Sequence, residues 1–231
     1  MNKNIVIIGG SSGIGLETSI VLKEKGYNII IGSRKKNQLK NSYEYVDVTK
    51  EKTISNFFSK ISKVDGLIYA AGITLPKSSI KSFNRKKYDD LFSTNVTGAI
   101  LSIKYAYEKL KIAKGKIVIV NSIACRDYSQ FSGFEYTMSK SALSGLVRQL
   151  SIDFSEDGIL INSVFPSMTG TEFLYKNVDT LKLKKIESLI PLKRIASTNE
   201  VAHAIAFLLS PENTYITGSG LDINGGQYLS G

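Results

Sequence analysis

The chain has 231 residues, of which 42% are hydrophobic and 22% charged, and its formal net charge is +10. This length and composition are typical of one folded domain with a sizeable core, so we expect residues 1–231 to form a single domain. No run of eighteen apolar residues is present, which excludes a membrane-spanning helix, and the single cysteine, Cys125, excludes an intrachain disulfide.

The N-terminus, MNKNIVIIGG, leads straight into a strand pattern and has no signal-peptide features, so we expect a cytoplasmic protein. Lysines are scattered over the predicted helices and loops, and neither a basic arm nor an aromatic and basic pattern is present. We therefore expect no nucleic-acid or membrane partner. The basic balance favours anionic small molecules, or an acidic carrier, as partners.

A glycine-rich segment follows the first predicted strand, residues 4–8, and precedes a helical pattern that ends at Gly26. A second strand pattern follows at residues 27–32. Such a turn lets backbone N–H groups approach a phosphate, and the helix N-terminus adds a favourable dipole there. Glycine-rich βα turns are also common without a ligand, but this position in the first βα unit predicts a dinucleotide site. The segment consists of Gly9, Gly10, Ser11, Ser12, Gly13, Ile14 and Gly15.

The second strand ends in Gly32-Ser33-Arg34-Lys35-Lys36. An enzyme that reads the 2′-hydroxyl of NAD places a carboxylate here, whereas one that reads a 2′-phosphate places an arginine. Ordinary surface charge would explain the lysines, but it would not explain the missing carboxylate. The pattern favours NADP(H) over NAD(H).

Alternating strand and helix patterns continue through the middle of the chain. Residues 43–48 form a third predicted strand, and an amphipathic helix with Ile54, Phe57 and Ile61 on one face follows it. Residues 65–72 form a fourth strand that ends in small residues. A long helix is predicted over residues 88–113, and it contains Asn95, whose amide needs partners or a function when buried.

A serine, a tyrosine and a lysine come together around the fifth predicted strand, residues 116–120. Ser122 stands just after that strand, and Tyr136 and Lys140 lie four residues apart in the next helical pattern, hence on one helix face. An ammonium beside a phenol favours the phenolate, so we expect the Tyr136 pKa to fall from its usual ~10. Such pairs also occur on solvated helix faces. With the serine, they predict a proton-transfer site for a C=O/CH–OH couple.

The chain ends with the same alternation. Residues 160–165 form a sixth strand closed by Pro166, residues 167–196 have weak periodicity and suit a mobile substrate lid, and Thr198 is expected to cap a final helix. Residues 220–223 form the last strand. This order predicts an α/β, Rossmann-type doubly wound, mostly parallel sheet flanked by helices. Cys125 has no neighbouring His or Cys, so we predict no metal site.

These residues resemble the motifs of the short-chain dehydrogenase/reductase family in its classical form, over nearly the whole chain. The family loop Thr-Gly-x-x-x-Gly-x-Gly is matched at residues 8–15, with Ile8 where threonine is usual. The Asn-Asn-Ala-Gly strand end is similar to Tyr69-Ala70-Ala71-Gly72, with both asparagines lost. The resemblance implies that Asn95 completes a catalytic set with Ser122, Tyr136 and Lys140.

Further matches lie towards the C-terminus. Pro166-Ser167 resembles the family's Pro-Gly, Thr171 stands for a threonine near the cofactor carboxamide, and Asn224 replaces a frequent aspartate. The resemblance also implies which residues bind the cofactor. They are Gly9, Ser11, Ser12, Gly13, Ile14, Gly15, Ser33, Arg34, Asp47, Val48, Ala71, Gly72, Tyr136, Lys140, Pro166 and Thr171.

The resemblance implies an NADP-dependent oxidoreductase that acts on a small-molecule carbonyl or alcohol. The subtype we favour is a 3-oxoacyl-acyl-carrier-protein reductase, and the alternative is an enzyme acting on a sugar, sugar derivative or polyol. A nucleotide sensor without turnover is a third reading, although Tyr136 and Lys140 are both retained. Family members are usually tetramers, so we expect a homotetramer or homodimer.

Overall fold

Seven parallel strands form the central sheet in the computed structural model, which describes residues 3–36, 42–77 and 79–229. The strands of the chain are β1 (Asn4–Ile8), β2 (Asn28–Ser33), β3 (Ser42–Tyr45), β4 (Gly66–Tyr69), β5 (Lys116–Val120), β6 (Leu160–Pro166), β7 (Thr169–Gly170), β8 (Ala196–Ser197) and β9 (Gly220–Ile223). The central sheet has the order β3-β2-β1-β4-β5-β6-β9, and β7 and β8 pair separately. The predicted doubly wound parallel sheet is confirmed.

Eight α-helices connect these strands in the described part of the chain. They are α1 (Gly13–Glu24), α2 (Glu51–Ser59), α3 (Arg85–Phe92), α4 (Gly98–Ala113), α5 (Phe134–Asp153), α6 (Glu172–Asn177), α7 (Thr180–Leu189) and α8 (Thr198–Leu209). Among the described residues, no helix combines the length and the apolar character needed to cross a bilayer.

Both faces of the sheet are covered, which explains why its strands are almost continuously apolar. Ile5 and Ile7 of β1 face one side and belong to the core under α1 and α8, together with Val201. Val6 and Ile8 face the other side, in the core under α2, α4 and α5. Because successive side chains of a strand point to opposite faces, β1 contributes residues to the cores on both sides of the sheet.

A wide turn interrupts the helix that was predicted over residues 88–113. Residues Ser93–Thr97 form a π-helical turn between α3 and α4, and Asn95 lies in its centre. π-turns are uncommon and often coincide with functional positions. The glycine that follows has a packing reason, because a Cβ on Gly98 would lie 2.8 Å from the Val48 Cβ atom.

Residues 167–196, the predicted lid, are folded over most of their length. They form β7, α6, α7 and β8, and Leu174, Ile186, Ile190 and Ile195 pack into a small apolar cluster of their own. The weak periodicity of this segment reflects its short elements, each of which places only a few residues in that cluster. Its closure over a substrate remains a prediction.

The N-cap of α8 differs from the prediction. Thr198 is the first residue of the helix, and Ser197 is the cap. The Ser197 side chain accepts a hydrogen bond from the Glu200 N–H, while the Glu200 carboxylate accepts one from the Ser197 N–H. This is a capping box, which requires a serine followed three residues later by glutamate. The assignment of Thr198 as the cap is wrong by one residue.

Candidate active site

The glycine-rich loop lies between the carboxyl ends of β1 and β4, pressed against the backbone after β4. Gly9 has φ +91°, and a Cβ there would lie 2.5 Å from the Ala71 nitrogen. A Cβ on Gly15 would lie 2.4 Å from the Gly9 carbonyl oxygen. A side chain at either position would clash with neighbouring backbone atoms. Glycine at both positions therefore allows the loop to pack this tightly and leaves its backbone accessible.

The loop leads into the N-terminus of α1 without a side chain that competes for its N–H groups. Ser12, the N-cap residue, makes no capping hydrogen bond with its side chain, and the first turn contains no acidic residue. The methyl group of Thr171 lies beside this turn, 3.3 Å from where a Cβ of Gly13 would be. A helix N-terminus of this kind suits a phosphate group, so the residues present fit a dinucleotide.

Three cations are exposed at the end of β2, as the sequence predicted. Arg34, Lys35 and Lys36 are all exposed, and the chain turns there because the buried Ser33 hydroxyl donates a hydrogen bond to the Lys35 carbonyl oxygen at 2.7 Å. The guanidinium of Arg34 therefore has access to solvent and to any ligand along this edge.

Asp47 follows β3 and stands near Arg34. Burial raises the pKa of Asp47, but hydrogen bonds from Thr49 and the charges of Lys50 and Arg34 outweigh it, so the pKa lies below its ordinary value. The Thr49 hydroxyl donates to this carboxylate at 2.8 Å. The predicted cofactor residues at the ends of β2 and β3 are thus brought to one edge of the sheet.

Asn95 is fully buried and uses its amide to join three elements. Its Oδ1 accepts from the Ile73 N–H at 2.8 Å, and its Nδ2 donates to the Ile73 carbonyl at 3.0 Å. The same Nδ2 donates to the Ser139 hydroxyl of α5 at 3.1 Å. A Cβ on Gly72 would lie 3.5 Å from Asn95 Oδ1 and 3.9 Å from Lys140 Nζ, so these groups are neighbours.

Ser122 begins a short 3₁₀ turn just after β5. Its hydroxyl oxygen accepts from the Ala124 N–H at 3.2 Å, and the Cys125 thiol donates to the Ser122 carbonyl at 2.9 Å. The Ser122 side chain lies near enough to the Tyr136 phenol to lower the pKa of that phenol. The structure therefore brings the predicted serine and tyrosine close together.

Lys140 lies one helical turn after Tyr136 and is buried. Its Nζ donates to the Val120 carbonyl at 3.0 Å and lies 5.6 Å from the centre of the Tyr136 ring. Burial lowers the pKa of Lys140 to about 8. The two side chains share one face of α5, as their spacing predicted.

The predicted lowering of the Tyr136 pKa is wrong for this structure. Burial raises the Tyr136 pKa above its ordinary value, and the nearby Ser122 side chain, which lowers it, has a smaller effect. The physical reason is twofold: the phenolate would lose solvation, and the Lys140 ammonium donates to Val120 rather than to the phenol oxygen.

The other predicted cofactor residues lie along the same edge of the sheet. Val48 is buried and packs close to Gly98, and Ala71 and Gly72 follow one residue after the end of β4. Pro166 is the last residue of β6, and Thr171 caps α6 by accepting from the Leu174 N–H at 3.2 Å. In a doubly wound sheet, ligands bind at this carboxyl edge.

Two polar residues that support this site were not singled out from the sequence. Ser139 is fully buried, accepts from Asn95 and donates to the Tyr136 carbonyl at 2.8 Å. Asn121 donates through Nδ2 to the Lys140 carbonyl at 3.1 Å, which ties the end of β5 to α5. The sequence did offer a signal for both, because each is a polar residue directly before a predicted catalytic residue, Asn121 before Ser122 and Ser139 before Lys140.

A cavity of about 330 Å³ lies beside the start of α5. Phe134 and Met138 line it, together with Lys77 and Tyr128. Thr137 of α5 also lines it, together with Ser129 and Ser132 of the preceding loop.

Comparisons with known proteins identify the family of the chain. A family model described as enoyl-(acyl carrier protein) reductase matches residues 9–227. The 3-oxoacyl-(acyl-carrier-protein) reductase FabG of Buchnera aphidicola is 30% identical, over 99% of this chain and 98% of that protein. Glucose 1-dehydrogenase of Gluconobacter oxydans is also 30% identical, over 99% of this chain and 93% of that protein.

A solved structure is similar over almost the full length. The structure of ElxO with NADP bound has a TM-score of 0.90 and 29% sequence identity, and the match covers 98% of this chain and 99% of that one. The likeness therefore extends to the whole sheet and its helices, beyond the glycine-rich loop alone.

Proposed function

The chain belongs to the short-chain dehydrogenase/reductase family and is an oxidoreductase, and from this we propose that it transfers hydride between NADP(H) and a carbonyl or secondary alcohol. The observation that carries the proposal is the cluster formed by Asn95, Ser122, Tyr136 and Lys140 at the carboxyl edge of the sheet. A nucleotide sensor would not need this complete set.

Tyr136 is the proton donor in reduction and the acceptor in oxidation. The raised pKa keeps the phenol protonated at neutral pH, which is the form that a donor needs. Ser122, which lies beside the phenol, holds the carbonyl oxygen of the substrate. Lys140 stays largely charged below its pKa of about 8 and supports the phenolate left after proton transfer.

Asn95 is a positioning residue in this proposal. Its amide is engaged by Ile73 and Ser139, and its Oδ1 faces the space between Gly72 and the Lys140 ammonium. It fixes the distance between the end of β4 and the catalytic face of α5. A water held between Asn95 and Lys140 would complete a proton path to solvent.

Residues of this chain hold NADP(H) in two regions. The glycine-rich loop and the N-terminus of α1 take the diphosphate, and Arg34, helped by Lys35, takes the 2′-phosphate. The cofactor supplies hydride chemistry when bound, so the protein needs only to bind, orient and move a proton. Support for NADP comes from the exposed cations at the end of β2 and from the NADP-bound relative.

The substrate we propose is a 3-oxoacyl thioester, carried on an acidic acyl-carrier protein. This rests on the similarity to FabG and on the net charge of +10, which attracts an acidic partner. A sugar, sugar derivative or polyol is the second candidate. It is supported by glucose 1-dehydrogenase, which has the same sequence identity to this chain as FabG, 30%. We also propose that the protein acts in the cytoplasm as a homotetramer or homodimer.

The experiment is to follow NADPH oxidation by the full chain with short 3-oxoacyl thioesters and keto-sugars in parallel. The proposal predicts turnover of a thioester with NADPH, faster than with NADH. Turnover of keto-sugars alone would keep the reaction and replace the substrate class. Tight binding of NADPH without turnover of any carbonyl would contradict the enzymatic proposal and favour a sensor.

A further inference from the structure

A second cavity, which is polar and has a volume of about 120 Å³, lies two helical turns beyond Tyr136 on the catalytic face of α5. Ser144 and Arg148 line it, and they continue the row that starts with Tyr136 and Lys140 at four-residue spacing. The other walls are formed by Cys125, Arg126, Val147, Ser163, Phe165 and residues 218–220. The predicted reaction does not use this cavity.

The Ser163 hydroxyl oxygen is the atom of this cavity that points most directly to a ligand. It lies within β6 and is only 1% exposed, yet its hydroxyl has no hydrogen-bond partner. The adjacent Asn162 is fully engaged, because it donates to the Ile216 carbonyl at 2.7 Å and accepts from the Ser219 N–H at 3.0 Å. A buried hydroxyl without a partner is unfavourable, so Ser163 indicates a ligand that accepts its hydrogen bond.

Arg126 is fixed at the cavity by its surroundings. Its guanidinium lies 4.2 Å from the centre of the Phe165 ring, and the Phe165 ring in turn occupies the space above Gly220. The contacts from Arg126 to Asp222 and to the Gly220 carbonyl are both 3.4 Å, which is long for such bonds. A guanidinium has five N–H donors, so it retains capacity for another acceptor.

The charges and the size of the cavity define the ligand class. Two arginines and three serines line it, and none of the described lining residues is acidic, although Asp222 pairs with Arg126. Because a water takes about 30 Å³, the volume admits a group of several heavy atoms. Guanidinium groups bind phosphate through paired hydrogen bonds.

We infer that this cavity binds a phosphate group, either as the free ion or as the end of a phosphate monoester. Arg126 and Arg148 neutralise its charge, and Ser163 donates a hydrogen bond to one of its oxygens. The site borders the turn that carries Ser122, because Cys125 lines the cavity and its thiol donates to the Ser122 carbonyl. It is separate from the 2′-phosphate position proposed at Arg34.

The test is calorimetric titration of inorganic phosphate into the full chain saturated with NADP, at constant ionic strength, so that the cofactor already fills the phosphate positions proposed at the glycine-rich loop and at Arg34. We expect binding at one site, weakened about tenfold or more in Arg126→Gln and in Arg148→Gln. Ser163→Ala should weaken phosphate binding severalfold without lowering the Tm of the phosphate-free protein. Arg34→Gln is the matched control and should leave phosphate binding unchanged.

Two results would overturn the inference. One is equal binding of phosphate to the wild type and to Arg126→Gln, and the other is loss of binding in Arg34→Gln alone. NADPH affinity, measured on the same variants, separates this site from the proposed function, because only Arg34→Gln should weaken it. Titration with phosphoserine distinguishes the two sources: tighter binding than inorganic phosphate assigns the site to a monoester, and weaker binding assigns it to the free ion.

Discussion

The Tyr136 phenol and the Lys140 ammonium occupy the same poorly solvated space, and burial disfavours the charged form of each. The pKa of the phenol is therefore raised and that of the ammonium is lowered to about 8. The spacing of the two residues predicted their contact, but it did not predict this balance. Solvation depends on how much protein surrounds a group, and the spacing of two residues in the sequence does not indicate how deeply they are buried.

Lys140 gives the reaction a pH dependence with a defined sign. The ammonium loses its proton as pH rises, so kcat/KM for reduction should be level near neutrality and fall above about pH 8. The measurement is a pH–rate profile of the wild type and of Lys140→Arg, whose guanidinium stays charged throughout. The residual activity of Lys140→Arg should lack this decline, and an unchanged decline would assign it to another group.

Arg34 should decide between the two nicotinamide cofactors. Arg34→Gln removes a charged hydrogen bond to the 2′-phosphate, which should raise the KM for NADPH about ten- to a hundredfold and leave that for NADH nearly unchanged. Lys36→Gln, two residues along the same exposed segment, is the matched control with little effect expected. Equal losses with both cofactors would place the 2′-phosphate elsewhere.

At the scale of elements, the sequence located every central strand to within a few residues but missed the turn around Asn95. Hydrophobic periodicity is nearly the same in an α-helix and in a single π-turn, so the pattern over residues 88–113 reads as one helix. Only the hydrogen bonds from Asn95 to Ile73 and Ser139 reveal why the chain widens there. Those partners are 22 and 44 residues away in sequence.

The start of α8 offers a direct comparison between the prediction and the structure. Ser197→Ala removes the cap and should lower the free energy of unfolding by about 1 kcal/mol. Thr198→Ala, the matched control at the position predicted from sequence, should change it by less than about 0.5 kcal/mol. Urea denaturation measures both. A larger loss of unfolding free energy in Thr198→Ala than in Ser197→Ala would show that Thr198 is the cap after all.

At the scale of the whole molecule, the alternation of strands and helices determined the architecture. Parallel strands need a crossover for each connection, and those crossovers cover both faces of the sheet. The small apolar cluster of residues 167–196 was not predicted, because Leu174 and Ile195 come together only after the chain folds back between them. Long-range contacts of this kind leave no local pattern.

The proposed assembly rests on apolar side chains left exposed on the helices that cover the sheet. Ile112 of α4 is 70% exposed and Ile152 of α5 is 72% exposed. Light scattering during size exclusion should give a mass of two or four chains, reduced in Ile152→Lys. Ile80→Lys is the control, since Ile80 is equally exposed at 70% but lies outside these helices. A monomeric wild type would contradict the proposed assembly.

The most direct measurement for the whole account is NADPH binding and turnover by Tyr136→Phe. The substitution removes one hydroxyl and leaves the ring in place, so NADPH should bind with nearly the affinity of the wild type. Reduction of a substrate accepted by the wild type should fall at least about a hundredfold, because a positioned general acid is lost. A Tyr136→Phe variant that reduces the same carbonyl as fast as the wild type would contradict the proposed mechanism.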